Sequence, residues 1–225
     1  MIGNANNIPS YKVAVVDDHV LLRSALARLI CSYENYSVAF EASNGKEFIE
    51  KLSKQVLPDI VLLDINMPEM DGYETARWLT KHYPHIKILA LSMESDDTNI
   101  IQMIKLGAKG FLMKNVEPEE LNGALDSVLE KDFYLSDTIS GKVISGLQSG
   151  AQKASEPETL TEKEKDFLRL ICTELTYKDI AERMFISPRT LDDYRNALFE
   201  KLNVHSRMGL AIYALRNKLV DINQL

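Results

Sequence analysis

Long apolar runs are missing from this 225-residue chain. Its branched aliphatic stretches, such as Val13 to Val16 and Ile60 to Leu63, fall far short of the ~20 residues that a membrane span requires. Met1 to Ser10 offers neither the basic flank nor the apolar core of a secretory signal. The expected location is therefore cytoplasmic, with no membrane partner. Cysteine is scarce too: Cys31 and Cys172 lie far apart, and neither has a metal-ligand neighbour at the usual spacing. No disulfide is expected, since reducing compartments rarely keep one. Basic excess is also lacking. The first 150 residues carry 14 Lys and Arg against 21 Asp and Glu, whereas 151–225 carry 12 against 12. Bulk charge thus gives no support to nucleic-acid binding, which must be argued from motif and placement.

What is present is an alternation. From Lys12 onward, short runs rich in branched residues alternate with longer amphipathic stretches, the pattern of parallel strands joined by crossover helices. Strands are expected at Lys12 to Val16, Ser37 to Glu41, Ile60 to Leu63, Ile88 to Leu91 and Gly110 to Met113. Between them, Leu22, Leu26, Leu29 and Ile30 share a helical face, as do Phe48 with Leu52 and Ile101 with Met103 and Ile104. Asp71 with Glu74 reads as a capping box, and Pro118 suits a first helical turn. These βαβ units imply a doubly wound α/β fold, a five-stranded parallel sheet of flavodoxin-like type. After Lys131 the regularity fades, and SGLQSGAQKASEPE (145–158) is small and polar, a linker composition. Beyond it the pattern is wholly helical. Thr161 with Glu164, Thr176, Ser187 before Pro188, and Ser206 each open a helix, and four helices with a tight turn between the middle pair outline a small all-α helix-turn-helix domain. The expected division is 11–132, a linker at 133–158, and 159–225.

Polar residues stand where the strands end. Asp17 and Asp18 follow the first, Asp64 the third, Ser92 the fourth and Lys114 the fifth. The carboxyl edge of an open parallel sheet is where ligands bind, so these residues should converge. Three adjacent carboxylates repel one another, and a divalent cation held by hard oxygen ligands, Mg2+ above all, relieves the repulsion. With the cation and Lys114 neutralising phosphoryl oxygens, Asp64 could attack phosphorus in line, and Ser92 could donate a hydrogen bond to the product. Singly, each residue has a plain structural role as a helix cap or solvated charge; together they point to a phosphoryl site.

The segments VAVVDDH, VLLDINMPEMDG, ILALS and GFLMK resemble the receiver domain of two-component response regulators, over roughly Tyr11 to Lys131. The resemblance implies Asp64 as phosphoacceptor, Asp18 as a direct Mg2+ ligand, Asp17 as a ligand through water, and Asn66 as a ligand through its backbone carbonyl. It further implies that Lys114 and Ser92 contact the phosphoryl group and that Ser92 with Phe111 forms a conformational switch. The implied donor is the phosphohistidine of a sensor histidine kinase.

LTEKEKDFLRLI and YKDIAERMFISPRTLDDYRNALFEKLNVHSR resemble the LuxR-type helix-turn-helix, so that the whole chain is similar to NarL/FixJ-type regulators. If Ser187 caps the recognition helix, Leu191, Leu198 and Leu202 face inward while Arg189, Asp192, Asp193, Asn196 and Glu200 face outward. That face would enter the major groove of double-stranded DNA. Asn196 could pair with adenine, and Asp192 or Asp193 could accept from cytosine. Phosphate contacts are expected from Lys178, Arg189, Arg195, Lys201 and Arg207. Two adjacent acids depart from the family's pattern, as do Glu174 and Tyr194. The resemblance implies a transcriptional regulator, not an enzyme beyond its own phosphorylation and dephosphorylation, that dimerises and binds promoters when phosphorylated, the last helix serving the dimer. The alternative is a receiver controlling a protein-interaction module with weak or no sequence-specific DNA binding. An aspartyl phosphatase wants a second aspartate two positions after Asp64, where Asn66 stands, and a flavodoxin-like cofactor would be repelled by Asp17 and Asp18.

Overall fold

The computed structural model describes residues 11–93, 97–136, 139–141 and 160–220. Five strands, β1 (Tyr11–Val16), β2 (Tyr36–Ala42), β3 (Ile60–Asp64), β4 (Lys87–Ser92) and β5 (Gly110–Met113), alternate with α1 (Val20–Ser32), α2 (Gly45–Leu52), α3 (Gly72–His82), α4 (Asp97–Lys105) and α5 (Pro118–Lys131). The strands form one parallel sheet in the order β2-β1-β3-β4-β5. Because the chain turns outward from β1 to β2 and then returns to β3 on the other side, the order reverses between β1 and β3. That switch point opens a crevice at the carboxyl edge.

Side chains of each strand alternate between two cores. Val13, Val15, Ile60, Leu62, Leu89, Leu91 and Leu112 pack with Ile30 of α1 and with Leu121, Leu125 and Val128 of α5. Ala14, Val16, Val61, Leu63, Ile88, Ala90 and Phe111 pack with Phe48 of α2, Leu79 of α3 and Ile100, Met103 and Ile104 of α4. In α4, Ile100 is buried together with Met103 and Ile104, while Ile101, expected on that face, is only partly covered. The helix is turned so that Ile100, Met103 and Ile104 form its inward stripe.

Asp71 and Glu74 form the expected capping box on α3, and Pro118 occupies the first turn of α5. The carboxy-terminal helices are α6 (Glu162–Ile171), α7 (Tyr177–Arg183), α8 (Pro188–Leu202) and α9 (Arg207–Arg216). Thr161, Thr176, Ser187 and Ser206 each accept a hydrogen bond from the third helical N–H beyond them. Phe167, Leu168, Ile171, Ile180, Leu191, Leu198, Leu210 and Ala214 form this unit's core.

The linker expected at 133–158 begins too early. Tyr134 N–H donates to the Lys109 carbonyl and bridges Gly110, and Phe133, Leu135 and Ile139 pack against the α2–α4 side of the receiver core. Apolar residues at these positions prolong the packing past α5. Residues 137–138 and 142–158 of that segment lie outside the described residues.

Candidate functional site

At the switch point the backbone delivers Asp17 and Asp18 from β1, Asp64 from β3, Ser92 from β4 and Lys114 from just beyond β5. Asp17, Asp64 and Ser92 are buried. Lys114 Nζ reaches Asp17 Oδ2 at 2.8 Å and Asp64 Oδ2 at 2.7 Å, so residues from three strands meet at one ammonium. Asp17, Asp18, His19 and Asp64 each bring a ligand atom within 4.8 Å of the others. Three hard carboxylates so gathered can hold a divalent cation. Burial pushes the pKa of Asp64 up, only partly offset by Lys114. Burial opposes the charge on Lys114, yet its bonds to Asp17 and Asp64 outweigh that and hold its pKa above the usual lysine value. Asn66 N–H approaches Asp64 Oδ1 at 3.4 Å, which brings the β3–α3 loop over the carboxylate. Phe111 is buried one residue into β5.

Two residues beside this cluster escaped sequence reasoning. Arg23, on α1, donates to the Asp17 carbonyl at 2.6 Å and pairs with Glu41 at 3.3 Å, anchoring the β1–α1 loop to the end of β2. His19 turns its Nδ1 to Asp17 and Asp18. A basic side chain one helical turn inside α1 and an imidazole next to the acidic pair were visible signals, but their direction was not.

On the second unit, α8 carries the face expected to read DNA. Leu191 and Leu198 are buried and Leu202 is partly so, while Arg189, Asp192, Asp193, Asn196 and Glu200 are exposed. Lys178 is exposed on α7. The remaining cations are otherwise engaged. Arg195 pairs with Asp192 at 3.0 Å and lies over the Tyr177 ring, and Lys201 pairs with Glu164 at 2.9 Å. Arg207, expected to meet DNA phosphate, is 1% exposed.

Arg207 sits at a seam between the two units. Its guanidinium donates to the Ile171 and Thr173 carbonyls at the end of α6 and to the Lys131 carbonyl, the last of α5. It also stacks over Phe133 and Tyr177. Carbonyls at helix carboxyl termini lack intrahelical partners and carry the negative end of the helix dipole, so a cation can be buried there without a carboxylate. Next to it, Ser206 Oγ donates to the Ile104 carbonyl at the end of α4, and Met208 and Ile212 of α9 join the receiver core. Nearby, Lys109 lies over the Phe199 ring and shares Asp132 with Lys87. In this arrangement α9 is covered while the outward face of α8 is not.

Comparison with known proteins accords with both units. A family model for the response regulator receiver domain matches residues 13–126, and one for bacterial regulatory proteins of the luxR family matches 158–214. The transcriptional regulatory protein LiaR of Bacillus subtilis is 32% identical over 93% of this chain and 99% of its own length. The nitrate/nitrite response regulator NarL of Escherichia coli is 31% identical over 92% and 96%. Among solved structures, a two-component response regulator of the LuxR family from Aurantimonas aligns with a TM-score of 0.56 at 26% identity, covering 60% of this chain and 96% of that one. RcsB of Salmonella enterica, bound to a promoter in the presence of a phosphomimetic, aligns with a TM-score of 0.56 over 90% and 97%, and at 21% identity it speaks for the fold alone. The chain therefore belongs to the transcription-regulating response regulators, in which a receiver domain is joined to a LuxR-type DNA-binding domain.

Proposed function

We propose that Asp64 accepts a phosphoryl group from the phosphohistidine of a partner histidine kinase, and that this frees the output domain to dimerise and bind promoter DNA. The observation that carries the reading is the meeting of Asp17, Asp64 and Lys114 within 2.8 Å at the switch point of the sheet. In the transfer, an Asp64 carboxylate oxygen bonds to phosphorus, the phosphorus–nitrogen bond of the donor breaks with its electron pair going to nitrogen, and the imidazole, carrying a proton on its other ring nitrogen, leaves neutral. A Mg2+ ion held by Asp18, Asp64, the Asn66 carbonyl and, through water, Asp17 would supply charge neutralisation for the phosphoryl oxygens. Lys114 then exchanges Asp17 for a phosphoryl oxygen, Ser92 donates to another, and Phe111 moves into the space that Ser92 leaves.

Release follows from what α4 touches. Its last turn accepts from Ser206, the residue that caps α9. Displacing α4 withdraws that carbonyl and the apolar seat of Met208 and Ile212. The freed α9 can then meet a second copy, and Arg207 can join Lys178, Arg189, Arg195 and Lys201 at DNA phosphates. Asn196, Asp192 and Asp193 would face base edges.

The test is exposure of the full chain to a small-molecule phosphodonor with Mg2+, followed by intact mass measurement. The wild type should gain one phosphoryl group and Asp64→Asn none; equal gain by both would refute the assignment. Binding of the phosphorylated chain to promoter and scrambled duplexes separates sequence-specific DNA binding from a protein-interaction role, which equal affinity for the two would favour.

A further inference from the structure

The acidic pocket contains a nitrogen donor that the reading above does not use. His19 stands at the N-cap of α1, with φ of −78° and ψ of 99°, but its side chain makes no capping hydrogen bond. The ring is turned back instead. Nδ1 lies 3.1 Å from Asp17 Oδ1 and 2.9 Å from Asp18 Oδ1. The His19 backbone N–H also donates to Asp17 Oδ1 at 2.8 Å, which fixes the origin of the side chain relative to both acids. Asp18 Oδ1 is shielded from solvent and, apart from this ring, has no hydrogen-bond partner among the described residues.

These spacings match those of ligands sharing an ion. In an octahedral site with bonds of about 2.0–2.1 Å, adjacent ligand atoms are separated by roughly 3.0 Å. Asp18 Oδ1 and His19 Nδ1 are thus set apart as neighbours in one coordination shell would be. The opposite edge of the cluster, Asp17 Oδ2 and Asp64 Oδ2, is neutralised by Lys114. Its counterpart on the near edge is an imidazole, which is a ligand as well as a hydrogen-bonding group. Imidazole has little use for Mg2+ but binds the later first-row dications well.

We propose that His19 is a ligand to the divalent cation in this pocket, giving it a mixed oxygen and nitrogen donor set that selects Co2+-like first-row ions over Mg2+ more strongly than carboxylates alone. The inference rests on the metal-binding reading of the pocket. Its biological form is a receiver whose loading responds to transition-metal supply as well as to magnesium. Being 64% exposed, the ring can be removed without opening the core.

The experiment is calorimetric titration of the full chain with Co2+ and, separately, Mg2+, in the wild type, His19→Ala and Asp64→Asn, with thermal melts to show that each variant is folded. Proton NMR of the Co2+-loaded protein adds a readout independent of affinity, since a coordinated imidazole displays a hyperfine-shifted exchangeable N–H. The expected result is that His19→Ala loses about tenfold or more in Co2+ affinity, within the range for losing a group that supports a metal, and that its shifted imidazole signal vanishes while Mg2+ affinity barely changes. Equal losses for both ions, or a shifted signal that survives in His19→Ala, would overturn the assignment of His19 and leave the phosphoacceptor reading standing. Failure of the wild type to bind either ion, or binding unchanged in Asp64→Asn, would overturn the metal reading of the pocket itself.

Discussion

Gly72 borders the Asp64 site so closely that its missing side chain is part of the design. A Cβ there would overlap the Asp64 carbonyl oxygen and come within 2.7 Å of Ile65 Cα, backbone atoms that cannot swing aside. Gly72→Ala should destabilise the receiver by about 1–3 kcal/mol, the usual penalty for overpacking, and slow phosphoryl uptake by displacing the β3–α3 loop. Chemical denaturation and mass-resolved phosphorylation check both, and a variant equal to the wild type in each would contradict the argument. Asp132 behaves differently. Burial opposes its charge, but Lys109 and Lys87 outweigh that and hold its carboxyl below the usual range. A carboxylate depressed on folding contributes fully above its ordinary pKa of about 4, and loses that contribution as pH falls through the lower folded-state value. The gap in Tm between the wild type and Asp132→Asn should therefore be constant near neutrality and close progressively below about pH 4. A gap that persists at the acid end would show that the two lysines do not govern this carboxyl.

Elements differed in how far the sequence announced them. The central strands could be read from apolar runs because they are buried on both faces, the partly covered edge strand β2 from its branched and aromatic residues, and four of the helix starts could be read because a serine or threonine cap acts within one turn. The acidic pocket was legible for a related reason, since strand ends in a parallel sheet share one edge whatever their distance along the chain. Arg207 was not legible. Its burial depends on carbonyls of α5 and α6 that only the packed structure brings together, and from the sequence alone a basic residue after a loop reads as solvated. The same holds for Phe133, Leu135 and Ile139, whose spacing follows neither a strand nor a helix period and so does not announce packing beyond α5. Helix α9 shows the difficulty best, because it is apolar on two sides. Leu210 and Ala214 face the output core, while Met208 and Ile212 face the receiver. Substituting Ile212 by Asp should therefore part the two units without unfolding either. Small-angle scattering should show a larger radius of gyration for the unphosphorylated variant, and unchanged dimensions would indicate that the apolar seat is not what holds α9.

For the whole molecule, the seam predicts both assembly and salt response. Light scattering should show the unphosphorylated chain as a monomer and the phosphorylated chain as a dimer, and an unchanged mass would count against release of α9. Cations held at the seam cannot displace counterions from DNA. Since the logarithm of affinity falls by about 0.9 per phosphate contact for each logarithmic unit of salt, freeing Arg207 should steepen the slope by roughly one on phosphorylation. Anisotropy titrations of a promoter duplex across a salt series would reveal it, and parallel slopes would mean that Arg207 does not change partners. The two-sided character of α9 also bears on recombination between regulators. An output module spliced behind a foreign receiver would present Met208 and Ile212 to a surface shaped for other residues, so the hybrid would have no resting state to leave and would be active without a signal.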